Sequence, residues 1–318
     1  MKLQNVSINA VAALAPMAGV TDWAFRTVCR ETAAVYTVTE MVSAKALCYQ
    51  DQKSLRLLRL GEEEHPAAAQ IFGSDPACMA EGALRALEIS GADVLDINMG
   101  CPTPKIVKNG DGCALMRSPD TAAAVVRAVA NAVPVPVTVK MRLGWDGGSV
   151  NAAELAKRLE QEGAAGFCVH GRTARQGYSG RADWQGIAAV VRAVSVPVCA
   201  NGDIFSLHDV KRCLALTGAS IGMIGRAAMG DPFVFTGEEA DMTRRAETIR
   251  RHFALLTEDK GEKTACLEMR RHLAWYIRGL PYAASYRREV SSVSAETDFT
   301  RLLCRITRET EERGTRSG

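Results

Sequence analysis

The chain has 318 residues, enough for one large domain or one large and one small. Its net charge of +3 is too small to point to nucleic acid, and no apolar run reaches the ~18 residues of a membrane span. Ten cysteines, with no C-x-x-C pair and no Cys/His cluster at zinc spacing, exclude a disulfide framework and a structural metal site and fit a reducing, cytoplasmic setting.

Gln4, Asn5, Ser7 and Asn9 interrupt the stretch before Ala13-Leu14-Ala15, so it reads as a leader into the first strand and not as a signal peptide. Short β-rich apolar runs then alternate with Ala-rich helical stretches. Strands are expected over 12–17, 35–41, 67–72, 93–98, 135–141, 166–170, 196–200 and 219–224. Helices are expected over 22–31, 43–60, 76–90, 118–132, 149–163, 184–194 and 206–217. Asp22, Ser118 and Ser206 stand at N-cap positions, with Pro76 and Pro119 in first turns. Gly61, Gly91, Gly163 and Gly218 stand where helices end. Alternation of this kind means parallel strands with crossover helices. Eight such strands in about 230 residues match a closed (β/α)8 TIM barrel, an α/β fold. No G-x-G-x-x-G follows a strand, which weakens a dinucleotide-binding open sheet. After Phe235 strand-like alternation stops. Residues 242–318 read as about four helices divided near Gly261, Gly279-Leu280-Pro281 and Ser291–Ser294. The expected domains are a catalytic barrel over 1–240 and a small all-helical C-terminal domain over 241–318.

Charge separates the same two regions. From Asp241 to Gly318 there are 16 Lys and Arg against 12 Asp and Glu, so the positive excess lies in the C-terminal quarter.

A barrel enzyme works at the C-terminal ends of its strands. Here those ends carry Ala15-Pro16-Met17-Ala18-Gly19, Glu40, Gln70, Asp96 through Pro102, Lys140 with Arg142, His170 with Arg172, Asn201-Gly202-Asp203, and Gly225-Arg226. Burying several charges without a ligand is costly, so the rim is a ligand site. The last two loops offer backbone N–H groups and an Arg at the start of a short helix, a phosphate position. Gln70 and Asn98 can both donate and accept along the edge of a flat heterocycle. Lys140 would oppose the negative charge of a reduced flavin. Phosphate at one end and an amide-plus-cation cradle at the other describe FMN.

The segments LAPMAGVTDWAFR, TEMVSAKAL, QIFGSDP, DINMGCPTPKIVKNGDGCALM, VTVKMRLGW, VHGRTARQGYSG, ANGDI and IGRAAMGDPFVF resemble the tRNA-dihydrouridine synthases in order and spacing. The likeness spans about 12–235, and DINMGCP is its most specific part. HLAWYIRGLPYAASYRREV extends it through about 290, in the manner of the bacterial B-type branch. The resemblance implies NADPH-dependent (or NADH-dependent) reduction of the uridine C5–C6 bond in tRNA through FMN. It places Pro16, Met17 and Ala18 along the flavin, Gln70 and Lys140 at its ring, and His170 near ring and phosphate. Asn201, Gly202, Asp203, Gly225 and Arg226 would hold ribityl and phosphate. Cys101 matches the proton donor, and Asn98, Arg142 and Arg172 would border the target uridine. Departures from the family pattern are Ala200 before Asn-Gly-Asp, Asp111 and Cys113 in the loop after Cys101, and Asp231.

The chemistry agrees with these residue types. Hydride adds to uracil C6, and C5 then takes a proton. A thiol titrating near ~8.5 is mostly protonated at neutral pH and can act as general acid. A uridine must leave its stack to be reached, which is easiest in a loop. Arg287-Arg288 and the spacing Arg301, Arg305, Arg308, interleaved with Tyr282 and Tyr286, suggest helix faces turned to phosphates, whereas Trp275 reads as core. Two other readings stand beside this one: an FMN barrel acting on a free pyrimidine, and a non-catalytic RNA-binding barrel. A Schiff-base role for Lys140 lacks an evident acid/base partner. The residues do not fix the modified uridine, although the B-type likeness hints at position 17 of the D-loop. A monomer, with no membrane partner and no metal, is the plain expectation.

Overall fold

A computed structural model describes residues 1–314 of the chain. Its contacts group into two compact units: residues 1–23 with 34–225, and residues 24–33 with 226 onward.

The first unit is a closed barrel of eight parallel strands, each followed by a helical connection. The strands are β1 (Ala12–Leu14), β2 (Val35–Val38), β3 (Ala67–Phe72), β4 (Val94–Met99), β5 (Val137–Arg142), β6 (Ala164–His170), β7 (Val198–Asn201) and β8 (Ile221–Ile224). Each pairs in parallel with the next, and β8 returns to β1 with Gly222 opposite Ala12 and Ile224 opposite Leu14. The pairing of β2 with β3, Thr37 opposite Ala67, completes the ring. Near-continuous apolar strands buried on both faces are what such a sheet requires. A two-residue strand Val42–Ser43 adds to the end of β3 beside Ile71 and Phe72.

Strand alternation sorts the interior into layers. Low in the barrel lie Ala13, Tyr36, Ala68, Val94, Cys168, Cys199 and Ile221, all buried in one cluster. The same faces continue upward to Gln70, Asp96 and Asn98, Thr138 and Lys140, His170, and Asn201. The bottom is stopped by an antiparallel hairpin, Lys2–Leu3 with Val6–Ser7, whose turn uses Gln4 at φ 48°. Leu3 and Ile8 from this segment are buried in the barrel cluster, so the polar leader folds into a plug.

The helix expected over 43–60 is broken into Ala44–Cys48 and Gln52–Arg56. Gln50 takes φ 54°, and the Asp51 carboxylate accepts the N–H of Ser54 at 2.9 Å, restarting the helix there. The loop after β4 contains a short helix Pro104–Lys108 and a 3-10 turn Gly112–Arg117.

The second unit is helical. Its four long elements are Met242–Lys260, Glu262–Tyr276, Ala283–Val290 and Glu296–Gly314, divided at the glycine, proline and serine breaks expected from the sequence. In the last helix Phe299, Leu302, Leu303 and Ile306 are buried, an i, i+3, i+4, i+7 stripe. Phe299 stacks on Phe253 with ring centroids 4.1 Å apart. Residues of the helix Trp23–Thr32 from Ala24 onward belong to this unit. Phe25 lies 5.5 Å from the rings of both His252 and His272, and Arg251 reaches Glu31 at 2.8 Å. Among the described residues no helix is long and apolar enough to cross a membrane.

His252 is fully buried, edge-on to His272 at 4.6 Å, with Nδ1 3.2 Å from the Tyr276 hydroxyl. Burial, with a smaller push from Lys260, holds its pKa down at about 3. Because the folded state keeps this imidazole neutral while the unfolded chain charges it near ~6.5, stability is complete above that pH and is lost as pH falls toward 3. Unfolding followed by circular dichroism should show roughly 2–3 kcal/mol less stability at mildly acidic pH, and His252→Phe should remove most of that loss.

Candidate active site at the barrel mouth

The residues at the upper strand ends form a connected polar layer. Asp96, on β4, is fully buried and accepts from Thr138 Oγ1 at 2.6 Å and from Gln70 Nε2 at 2.7 Å. Gln70 in turn accepts from Asn98 Nδ2 at 2.9 Å, and its own backbone N–H is held by Thr39 Oγ1. Asn98 Oδ1 accepts the N–H groups of Gly100 and Cys101 at 3.1 and 3.0 Å. One chain of hydrogen bonds thus runs from the barrel interior to the turn that carries Cys101. Burial pushes the Asp96 carboxyl up to about 6, against the pull of Thr138, Gln70 and Lys140.

Cys101 is half-buried, with Sγ 3.2 Å from Thr103 Oγ1. Its loop is folded back tightly. The Cys113 N–H donates to the Cys101 carbonyl at 3.0 Å, and Gly112 adopts φ 59° where a Cβ would come within 2.6 Å of that same oxygen. Only glycine fits there. Cys113 itself is buried and pushed up to about 12, an inert thiol beneath the half-buried one.

Lys140 rises beside Asn98, its register partner on β4, and Nζ makes one long hydrogen bond, 3.4 Å to Asn201 Oδ1. Asn201 is anchored by Nδ2 to the Met223 carbonyl at 2.8 Å. Gly202, at φ 111°, lies so close to the His170 ring that a Cβ would meet it at 2.8 Å. Gly225 faces Ala15 and Met17. The Pro16-to-Gly19 turn is pinned at Met17 N by Thr21 Oγ1 (2.8 Å) and at Gly19 N by a Glu40 carboxylate oxygen (2.5 Å).

The two rim arginines act as braces. Arg142, 3% exposed, donates Nε to Gly100 O and Nη1 to Thr173 O and Gly177 O. It therefore ties the Cys101 turn to the loop after β6, and burial pulls its pKa down. Arg172, 2% exposed, donates to Ser179 O, to Gly180 O and to both oxygens of Asp203 at 2.8 Å. Asp203 sits at φ 51° and also accepts the Ala182 N–H.

Of the residues singled out in the sequence, Pro16, Met17, Ala18, Gln70, Asn98, Cys101, Lys140, Arg142, His170, Arg172, Asn201, Gly202, Asp203 and Gly225 all lie on the upper strand ends or their loops. Arg226 opens the 3-10 turn Arg226–Ala228 and is the first residue of the second unit after Ala33. Arg287 and Arg288 are exposed on the helix Ala283–Val290. Arg305 and Arg308 are instead ion-paired, Arg305 with Glu289 and Glu309, Arg308 with Glu312. Trp275, read from the sequence as core, is half-buried and edge-on to His272 at 5.1 Å. Asp96 stands in the rim run read from the sequence but without a role of its own, and Thr138 is absent from that reading. The signal for both is a polar side chain two residues below a named rim residue, Asn98 and Lys140, on the same strand face. No group of residues suited to holding a metal occurs among the described residues.

The sequence matches the dihydrouridine synthase (Dus) family over residues 13–311. It is 39% identical over 315 residues to a probable tRNA-dihydrouridine synthase 1 of Synechocystis sp., covering 95% of this chain and 88% of the relative. It is 41% identical over 297 residues to tRNA-dihydrouridine synthase B of Pseudomonas aeruginosa, covering 90% and 89%. In fold it is similar to a 2-naphthoyl-CoA reductase in complex with 2-naphthoyl-CoA, with a TM-score of 0.58 at 9% identity, over 74% of this chain and 51% of that one.

The ion pair at the β6 and β7 ends, with Arg172 buried and Asp203 half-buried, sets a direct test of stability. Asp203→Ala leaves the Arg172 guanidinium buried without its carboxylate but still on two carbonyls, a loss of roughly 1–3 kcal/mol. Thermal unfolding of the purified protein should register it, and Arg172→Met combined with Asp203→Ala should recover part of the loss.

Proposed function

The chain belongs to the dihydrouridine synthase family, and on that premise we propose that it is an oxidoreductase that reduces the C5–C6 bond of a D-loop uridine in tRNA, using FMN and NAD(P)H. The observation that carries this reading is the polar layer of Gln70, Asn98, Lys140 and Asn201 beside the half-buried thiol of Cys101.

The residues fit FMN. Gln70 keeps one N–H and one lone pair beyond its bonds to Asp96 and Asn98, so it can meet a ring edge that both donates and accepts. Lys140 carries an ammonium with a single long hydrogen bond, leaving donors for an electron-rich edge. Pro16, Met17 and Ala18 would lie along the ring. His170, Asn201, Gly202 and Asp203 would line the ribityl chain and phosphate. Gly225 and Arg226 would supply the phosphate end, where an N–H group and a guanidinium are the suitable donors.

Reduced by NAD(P)H, FMN would supply the hydride that uracil C6 receives. Cys101 holds the proton for C5 on Sγ, with Thr103 Oγ1 as a hydrogen-bond partner at 3.2 Å. Asn98 fixes the turn beneath that thiol and can face the uracil edge. Arg142 and Arg172 would border the uridine by holding the loops after β4 and β6 in place around it. On the helical unit, Arg287 and Arg288 have no ion-pair partner among the described residues and would contact tRNA phosphates.

Cys101→Ala should keep its yellow flavin absorbance but lose roughly 10²–10⁴-fold in dihydrouridine formation on unmodified tRNA, the range expected of a missing general acid. Near-normal turnover would overturn the acid role. Arg287→Glu with Arg288→Glu should weaken tRNA binding about 10-fold or more at moderate salt, with flavin content unchanged. Binding equal to wild type in a filter assay would remove these residues from the RNA surface.

A further inference from the structure

The geometry points to Asp96 as a positioning residue: its carboxylate fixes which way the Gln70 amide faces and, through Gln70 and Asn98, sets the turn that carries Cys101. The relevance of that turn to catalysis rests on the function proposed above; the relay itself does not.

A glutamine or asparagine amide is nearly symmetric in shape, and its neighbours decide which end is oxygen. Here both ends of the chain are of fixed polarity. The backbone N–H groups of Gly100 and Cys101 can only donate, so Asn98 must present Oδ1 to them. Its Nδ2 then faces Gln70, which must answer with Oε1. Gln70 Nε2 is left facing inward and needs an acceptor that is not itself a donor. A carboxylate oxygen meets this condition, as would an amide oxygen whose nitrogen turned to Thr138. Asp96 does so with one oxygen while Thr138 occupies the other. The three links, Asp96 to Gln70, Gln70 to Asn98, and Asn98 to the Cys101 turn, are therefore polarised in one direction and strengthen one another.

Folding alone would not favour a carboxylate at this position. Asp96 is 4% exposed and borders a cavity whose other walls include Leu3, Val38, Phe167, Cys168 and Met223. The cation that acts on it is Lys140, one layer higher on the neighbouring strand. A carboxylate in such surroundings costs stability at neutral pH. An apolar residue of similar size would be cheaper to bury, but it would leave Gln70 Nε2 without an acceptor. Asp96 lies below the rim, so its effect on any reaction passes through Gln70.

The test compares Asp96→Leu, Asp96→Asn, Gln70→Ala and the Asp96→Leu/Gln70→Ala pair in the full-length protein. Asp96→Leu should unfold at a temperature equal to or above wild type near neutral pH. Yet its 98–103 peptide should exchange amide hydrogens about 10-fold faster, the effect of one lost buried hydrogen bond. Its affinity for FMN should fall by a similar factor, with a shifted visible flavin spectrum. Asp96→Asn retains an acceptor for Gln70 and should restore slow exchange and flavin affinity to within about 3-fold of wild type. The double variant should be no worse than Gln70→Ala, because Asp96 acts through Gln70. Unchanged exchange in Asp96→Leu, an Asp96→Asn as impaired as Asp96→Leu, or additive effects in the double variant would each overturn the proposal. The exchange measurement needs no flavin. A wild-type protein that binds no FMN, combined with faster exchange in Asp96→Leu, would uphold the relay and sink the flavin reading alone.

Discussion

Parallel closure of the eight strands makes alternate residues of every strand face one interior and emerge together at one edge. The pairing of β8 with β1 and of β2 with β3 leaves no free strand, and with it no freedom for one strand to slip by a residue. A slip would turn Gln70, Asn98, Lys140 or Asn201 away from the mouth and turn a neighbouring apolar residue toward it. The apolar plug of Leu3 and Ile8 and the small side chains of Ala13 and Ala68 fill the lower barrel, so polar groups collect only in the upper layers. The site is a consequence of this sorting.

The upper layers are organised by hydrogen-bond polarity more than by charge attraction. Asp96 and Lys140 stand on adjacent strands, yet the carboxylate accepts from an amide and a hydroxyl, and the ammonium donates to Asn201. Arg142 gives its donors to three carbonyls and Arg172 gives its own to two carbonyls and a carboxylate. Guanidinium groups suit this work because their donors diverge in a rigid plane and can tie several loops at once. The loops after β4, β6 and β7 are thereby held in register around the mouth. The cost is a set of buried charges that an apolar barrel would not carry, which is the usual mark of a site shaped for a ligand.

The helical unit divides its charge between structure and surface. Arg305 sits between Glu289 and Glu309, and Arg251 is spent on Glu31. Such exposed pairs contribute little stability, but they neutralise the cations involved. A count of arginines along the sequence therefore overstates the charge open to a polyanion. Arg287 and Arg288, on the shortest of the four helices, are exposed and stand in no such pair among the described residues.

The sequence alone determined the barrel, the four-helix tail and most of the rim, because these follow from local periodicity, glycine and proline breaks, and the polar residues that end each apolar run. The likeness carried by DINMGCP, not periodicity, singles out Cys101 on the turn after β4. What only the tertiary structure decided is which partner each polar group takes. Gln70 meets Asp96 across 26 residues and Thr138 meets Asp96 across 42, pairs set by the register of neighbouring strands. Periodicity reports whether a side chain faces inward and says nothing of what it will face. For that reason the sequence places Asp96 at the rim without a role, leaves Thr138 an ordinary strand residue, shows Arg142 and Arg172 as ligand contacts alone, and shows the first eight residues as a leader instead of a plug. The break at Gln50 and Asp51 is hidden in the sequence for another reason: a capping carboxylate and one left-handed residue outweigh the helix propensity on either side.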